Sequence, residues 1–149
     1  MNKPAPNSSL SEASPSVQTH LGIIQGVIER MASNSTSAKT WCITVVSAMI
    51  VVVAGKNKPN YALLAFIPTL LFLALDAYYL GMEKGFRNAY DVFVRKIHNG
   101  TLTPDDLYCV KPNGKTSVLQ YDALKSFSIW GFYGLLSMLI LFSWFVVLT

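Results

Sequence analysis

The chain has 149 residues, of which 52% are hydrophobic and only 13% charged, about half the charged share usual in a soluble domain. That length makes one unit and not a string of domains, and the shortage of charge is concentrated in three apolar runs, the pattern of a small polytopic membrane protein. The net charge of +4 calls for no nucleic-acid partner, and no direct nucleic-acid binding is expected; in a membrane protein it reflects Lys and Arg held at the cytoplasmic face.

The first residues, MNKPAPNSSLSEASPSVQ, are rich in Ser, Pro and Asn, and residues 1–19 are expected to be a disordered tail. Lys3 is followed by polar residues and no apolar core, so the tail does not read as a signal peptide. Leu21, Ile24, Ile28 and Met31 then recur at helical spacing, with Gln25, Glu29 and Arg30 mostly off that face. This predicts an amphipathic helix over 20–38 that lies on the membrane or packs against other cytoplasmic parts. TWCITVVSAMIVVVA, from Thr40 to Ala54, carries no charge but gives only about 22 Å of helix, short of a hydrocarbon core of about 30 Å. The first span therefore draws on Ser35 to Lys39 and on Gly55, with Lys39 and Lys56 snorkelling outward.

GKNKPN, from Gly55 to Asn60, reads as a tight polar turn. The second span runs from Tyr61 to about Met82 and contains Asp76 and Pro68, a proline of the kind that often marks a kink. Charged helix continues from Glu83 to about Ile97. Asn99-Gly100 reads as a helix stop, and Thr103-Pro104-Asp105-Asp106 as an N-cap, N1 proline and acidic first turn. Tyr108 to Tyr121 fits a short hairpin about Pro112-Asn113-Gly114, with strands too short for a sheet of their own. From Ser126 to Thr149 there is no charged side chain, and Trp130, Tyr133 and Trp144 suit the two interfaces of a third span. The predicted fold class is all-α integral membrane: paired spans within 39–82, a cytoplasmic segment over 83–125 and a third span over 126–149.

Two spans separate the first helix from the 83–125 segment, which places both on one side of the membrane. That side holds Lys3, Arg30, Lys39, Lys84, Arg87, Arg95, Lys96, Lys111, Lys115 and Lys125, against Lys56 and Lys58 in the turn. The positive-inside rule then puts the N-terminus in the cytoplasm and the C-terminus outside.

Several motifs carry little chemistry. GKTS, from Gly114 to Ser117, resembles the end of a phosphate-binding loop, but Cys109 stands where the pattern needs its first glycine, and Pro112 removes a backbone donor. An ordinary Asn-Gly turn accounts for it better. The sequons at Asn7, Asn34 and Asn99 all fall on the predicted cytoplasmic side. Cys42 lies in an apolar run and Cys109 in a polar segment, which argues against a disulfide. His20 and His98 are far apart, no metal-ligand spacing occurs, and no nucleophile-and-base arrangement is evident. No cofactor, no metal and no enzymatic activity are expected.

Asp76 stands apart. At 100° per residue, Asp76, Tyr79, Glu83, Arg87 and Tyr90 fall within an arc of about 80°, and Thr69 and Val94 extend the stripe. A carboxylate at the bilayer centre costs about 2.5–3.5 kcal/mol on insertion scales, so such groups face protein or water. The stripe either packs on the other helices, with Asp76 bonded to Asn34, Ser35, Lys39, Thr40 or Thr44, or it lines a water path, ligand pocket or subunit interface. SNSTSAK, from Ser33 to Lys39, offers the matching polar patch with small residues that allow close approach.

Two strings, IIQGVIERMASNSTSAKTW and LDAYYLGMEKGFRNAY, resemble those of a family of small bacterial inner-membrane proteins. The match covers roughly Leu21 to Arg95. It falls on Gln25, Gly26, Arg30, Met31, Asn34 and Ser35, then on Asp76, Tyr78, Tyr79, Glu83, Phe86, Arg87 and Tyr90. Some such proteins resemble the transmembrane effectors of anti-phage systems, including those encoded beside retrons. The resemblance implies an effector restrained by a partner, such as a reverse transcriptase–nucleic acid complex, that perturbs the inner membrane on phage sensing. Three short spans cannot enclose a pore alone, so self-association or local bilayer disorder is expected. The runner-up is a non-enzymatic anchor or sensor whose cytoplasmic segment docks a soluble partner; a transporter or channel ranks third, for want of an internal repeat. The candidate site residues are Asp76, Tyr79, Glu83, Arg87 and Tyr90 in the stripe and Gln25, Arg30, Asn34 and Lys39 in the first helix.

Overall fold

A computed structural model describes residues 10–55 and 59–147. Four α-helices account for most of it: α1 (Pro15–Ala54), α2 (Phe66–His98), α3 (Thr116–Leu124) and α4 (Phe127–Phe142). Short 3-10 segments at Pro59–Ala65 and Pro104–Asp106 connect them, and a π-helical turn at Ser143–Val147 extends α4. The described residues contain no strand.

α1 is a single rod of 40 residues, about 60 Å long at 1.5 Å per residue and twice the thickness of a hydrocarbon core. The predicted amphipathic segment and first span are therefore one uninterrupted helix. The helix also starts earlier than the composition of the tail suggests. Ser14 takes the N-cap position with extended backbone, and Pro15 takes the first turn, where its missing N–H costs nothing. Residues 15–19 thus belong to α1, with Val17 fully buried, and only 1–9 of the predicted tail lies outside the described residues.

The 33 residues of α2 pair with α1 in antiparallel fashion. Buried positions recur at seven residues or its double on both: Val17, Ile24 and, past the half-buried Met31, Ala38, then Ser35 and Cys42, on α1; Thr69 and Asp76, then Phe86 and Phe93, on α2. Such spacing keeps one seam facing a partner along the whole length of a gently supercoiled pair. Pro68 is the third residue of α2, so it lies in the first turn and leaves the helix interior unbroken. The predicted turn over 55–60 begins with Gly55 closing α1 and ends in the 3-10 segment; residues 56–58, with both its lysines, lie outside the described residues.

α4 completes the apolar half. Cys42 and Val46 of α1, Ala65, Ala77 of α2, and Ile129, Tyr133, Leu136 and Ile140 of α4 form one buried cluster. The Trp144 indole N–H donates to Asn60 Oδ1 at 3.4 Å, tying the far end of this helix to the connector. Three helical stretches, Pro15–Ala54, Asn60–His98 and Phe127–Phe145, are long and apolar enough to cross a membrane. Their outward side chains include Val51, Ile67, Leu71, Trp130, Met138 and Phe145, each more than half exposed, a belt far more apolar than a soluble surface tolerates.

At the other end the chain folds back on α2. Gly100, at φ +66°, takes the left-handed turn that ends the helix, and the Thr101 amide reaches back to the Lys96 carbonyl. Thr103 takes the expected N-cap position with Pro104 at N1 and closes a capping box with Asp106, but the turn it opens is a 3-10 segment of three residues and not a longer helix. The hairpin does not form. Residues from Thr116 make α3 instead, because Leu119 and Ala123, one turn apart, are buried against a notch in α2 made by Gly81 and Gly85. A side chain at Gly81 would stand 3.1 Å from the Leu119 backbone, and one at Gly85 would stand 2.8 Å from Leu119 and Pro112. The Asn113 amide also donates to the Gly85 carbonyl at 2.9 Å.

Gly85→Leu should overpack this notch at a cost of about 1–3 kcal/mol. Hydrogen exchange across 112–124 should quicken while the middle of α1 stays protected; unchanged exchange there would show that the notch does not hold α3.

Candidate functional site

The polar residues of the α1–α2 seam sit where apolar ones would be expected. Asp76 is fully buried, and it meets two groups one turn apart on α1. Ser35 donates its hydroxyl to Oδ1 at 2.5 Å, and Lys39 Nζ lies 2.6 Å from Oδ2, a close ion pair without good hydrogen-bond alignment. Lys39 also donates to Ser35 Oγ at 3.3 Å, closing a triangle. Of the other expected partners, Thr40 and Thr44 spend their hydroxyls on the carbonyls of Thr36 and Thr40. An i,i+4 pair on one helix thus brackets a single carboxylate on the next.

α4 supplies a third wall. The Tyr133 hydroxyl is buried within electrostatic reach of Asp76 but outside hydrogen-bonding geometry. On the outer side, the Cys42 thiol faces Thr69, whose own hydroxyl donates to the Ala65 carbonyl at 2.7 Å. The ion pair is therefore enclosed by all three apolar helices. It lies about 9 Å, six residues at 1.5 Å each, from the last apolar turn of α2 at Met82.

The predicted stripe divides into three parts. Asp76 joins Lys39. Glu83 and Arg87 pair along α2 at 2.8 Å, the carboxylate mostly covered and the guanidinium exposed. Tyr90 accepts a long hydrogen bond of 3.5 Å from Gln25, and Gln25, Ile28, Glu29, Arg87, Tyr90 and Asp91 surround an open polar cleft of about 550 Å³. Asn34 and Tyr79 line a smaller groove of about 150 Å³ beside Trp41. Arg30 is exposed and joins none of these groups.

His20 forms a separate buried polar contact at the polar end of α1, and its pattern in the sequence did not announce it. Its ring is buried, stacks on Phe93 at 4.2 Å and accepts the Tyr108 amide on Nδ1 at 2.9 Å. That acceptor role leaves the ring proton on Nε2. Tyr108 has φ +62°, a costly left-handed conformation for a tyrosine, which its neighbours must hold in place. Lys96 and Asp106, 2.6 Å apart, clamp the same loop to α2. Among the described residues, no group of three His, Cys, Asp or Glu side chains converges as a metal site requires.

No protein-family model, curated protein or solved structure matches the chain.

Removing one member of the buried pair, as in Lys39→Met or Asp76→Leu, should destabilise the protein by about 3–5 kcal/mol, because the other charge stays behind unpaired. The double replacement should recover most of that loss. Thermal unfolding of the detergent-solubilised chain measures both, and singles as stable as the parent would remove the pair's structural role.

Burial lowers the pKa of His20 below its ordinary 6.5, with Asp106 opposing more weakly. The folded state therefore holds a neutral ring. Its contribution to stability is complete above pH 6.5 and is lost as pH falls through the lowered value, where protonated Nδ1 can no longer accept the Tyr108 amide. Exchange protection of that amide, corrected for intrinsic rate, should fall below about pH 6.5 and lose its pH dependence in His20→Phe. A flat profile in the parent down to pH 5 would contradict this.

Proposed function

We propose that the protein is a multi-pass inner-membrane effector of a bacterial anti-phage defence system of the retron type. A partner complex, with a reverse transcriptase and its nucleic acid as the expected kind, restrains it. On release it perturbs the membrane and arrests the infected cell. It acts without catalysis, through lipid contact and self-association. The distribution of ten basic residues against two supports an N-terminus and 83–125 segment in the cytoplasm, with the C-terminus in the periplasm.

One observation supports the membrane-perturbing part of this reading: α1 and α2 each run unbroken from the polar end into the apolar half, and among the described residues a single buried ion pair ties them, inside the apolar half. A partner that shifts the polar ends acts directly on the spans, with no flexible joint to absorb the movement. In this reading the ion pair, one member of which is fully buried, is the element that switches. Closed, it holds the helices together; opened, it leaves charges that draw in water.

The cleft between Gln25, Glu29, Arg87 and Tyr90 favours a second reading, in which the polar end docks a soluble partner and the spans only anchor it. Membrane potential separates the two. Induced expression without the partner should depolarise cells, as read by a potential-sensitive dye, and Arg87→Ala or Asp76→Ala should relieve the effect at matched abundance in the membrane fraction. Arg87 is exposed and, among the described residues, pairs only along its own helix with Glu83, so the matched abundance separates loss of effect from loss of protein. Full potential in energised cells that make the protein abundantly would sink the effector reading and leave the anchor.

A further inference from the structure

α2 and α4 part on the side that α1 does not cover, leaving an apolar groove of about 730 Å³, within the range of about 300–1,000 Å³ usual for ligand pockets. Phe66, Leu70 and Leu73 form one wall; Ile129, Trp130 and Gly134 form the other. The mouth, at the polar end, is different. Lys125 and Tyr121 border it, with the ammonium 4.0 Å from the centre of the tyrosine ring. Lys84 belongs to the same face. It stands eighteen residues after Phe66, five full turns at 3.6 residues each, so it continues the stripe that lines the groove. Its ammonium donates to the Asp122 carbonyl at 3.0 Å, beside Tyr121 and Lys125.

Neither lysine pairs with a carboxylate among the described residues. Two unneutralised cations thus crown a slot whose walls are hydrocarbon. A molecule that fits needs a negative head at the level of the lysines and an apolar chain below it. In a bilayer, one abundant class has that shape and charge.

We propose that the groove binds an anionic phospholipid of the leaflet nearest the 83–125 segment. Lys84 and Lys125 hold its phosphate, and one acyl chain lies between Leu70 and Leu73 on one side and Trp130 and Gly134 on the other. The Tyr133 ring is part of the same wall, and its hydroxyl stands beside Asp76. The lipid is therefore one side chain away from the Lys39–Asp76 pair. The proposal rests on the reading of the chain as membrane-spanning and is independent of effector activity.

Trp130 reports on the groove directly. With Trp41→Phe and Trp144→Phe it is the remaining tryptophan of three, and brominated acyl chains quench it on contact. The full chain in phosphatidylcholine vesicles is titrated with brominated phosphatidylglycerol or brominated phosphatidylcholine at equal mole fraction. Phosphatidylglycerol should quench with about a fivefold preference or more, and Lys84→Gln with Lys125→Gln should abolish the preference. Gly134→Leu should weaken quenching by both lipids while both lysines remain, because a side chain at Gly134 meets nothing within 4 Å and extends into the slot. Equal quenching by the two lipids in the parent overturns the site. So does quenching by both lipids that Gly134→Leu leaves undiminished, which would be contact with bulk lipid and surface enrichment alone. Protection of Trp130 from both lipids also overturns it and assigns the groove to a second copy of the chain. Protein that fails to float with the vesicles overturns the membrane reading itself, and the lipid site with it.

Discussion

Everything in the apolar half is arranged around one charged contact, Lys39 with Asp76. A carboxylate removed from water needs a counter-charge and hydrogen-bond donors, and only a helix that approaches closely can deliver both. Ser35 and Ala38 keep the α1 surface small at this level, and Ala77 does the same on α2. Tyr133 then closes the third side from α4. Register along the α1–α2 seam follows, since a slip of one turn would leave the carboxylate between Lys39 and the Cys42 turn without Ser35, or between Met31 and Ser35 without its counter-charge. Hydrophobic contact alone gives no such register in a membrane, where lipid tails are as apolar as leucine.

The polar half uses other means. Its helices meet through Ile24, Phe86 and Phe93, and α3 is held by a glycine notch where backbones nearly touch. The loop from Leu107 to Lys115 binds α1 and α2 together by one amide on His20 and one on the Gly85 carbonyl. Both bonds come from backbone donors, so the loop's position depends little on its own side chains and strongly on the acceptors beneath it. The two halves are therefore secured differently, one by charge and the other by close backbone approach and aromatic contact.

Much of this was legible in the sequence. The three apolar runs, the helix stop at Asn99-Gly100 and the N-cap at Thr103 follow from local patterns with strong physical causes, and Ser35 and Lys39 were among the five partners offered for Asp76 in one of its two readings. Four features were not legible, each for an identifiable reason. Ser14-Pro15 is a helix start hidden in a composition that reads as tail. The role of Gly81 and Gly85 shows only once α3 is seen to need a groove, although their four-residue spacing is the known signature of close helix contact. Residues 108–121 carry a turn signal that suits a hairpin, yet Leu119 and Ala123 find a better surface as one helical face. His20 had no sequence neighbour to betray it, because its partner lies 88 positions away.

The unbroken length of α1 has a mechanical consequence. With the ion pair as the fixed point, the rod extends about 36 Å from Lys39 to Pro15 and about 22 Å from Lys39 to Ala54. It is a lever with unequal arms, about 1.6 to 1. A sideways push at the polar tip would carry the opposite tip back by about six-tenths of the distance pushed. The longer arm is the polar one, so a sideways force on that end is magnified about 1.6-fold at the apolar tip.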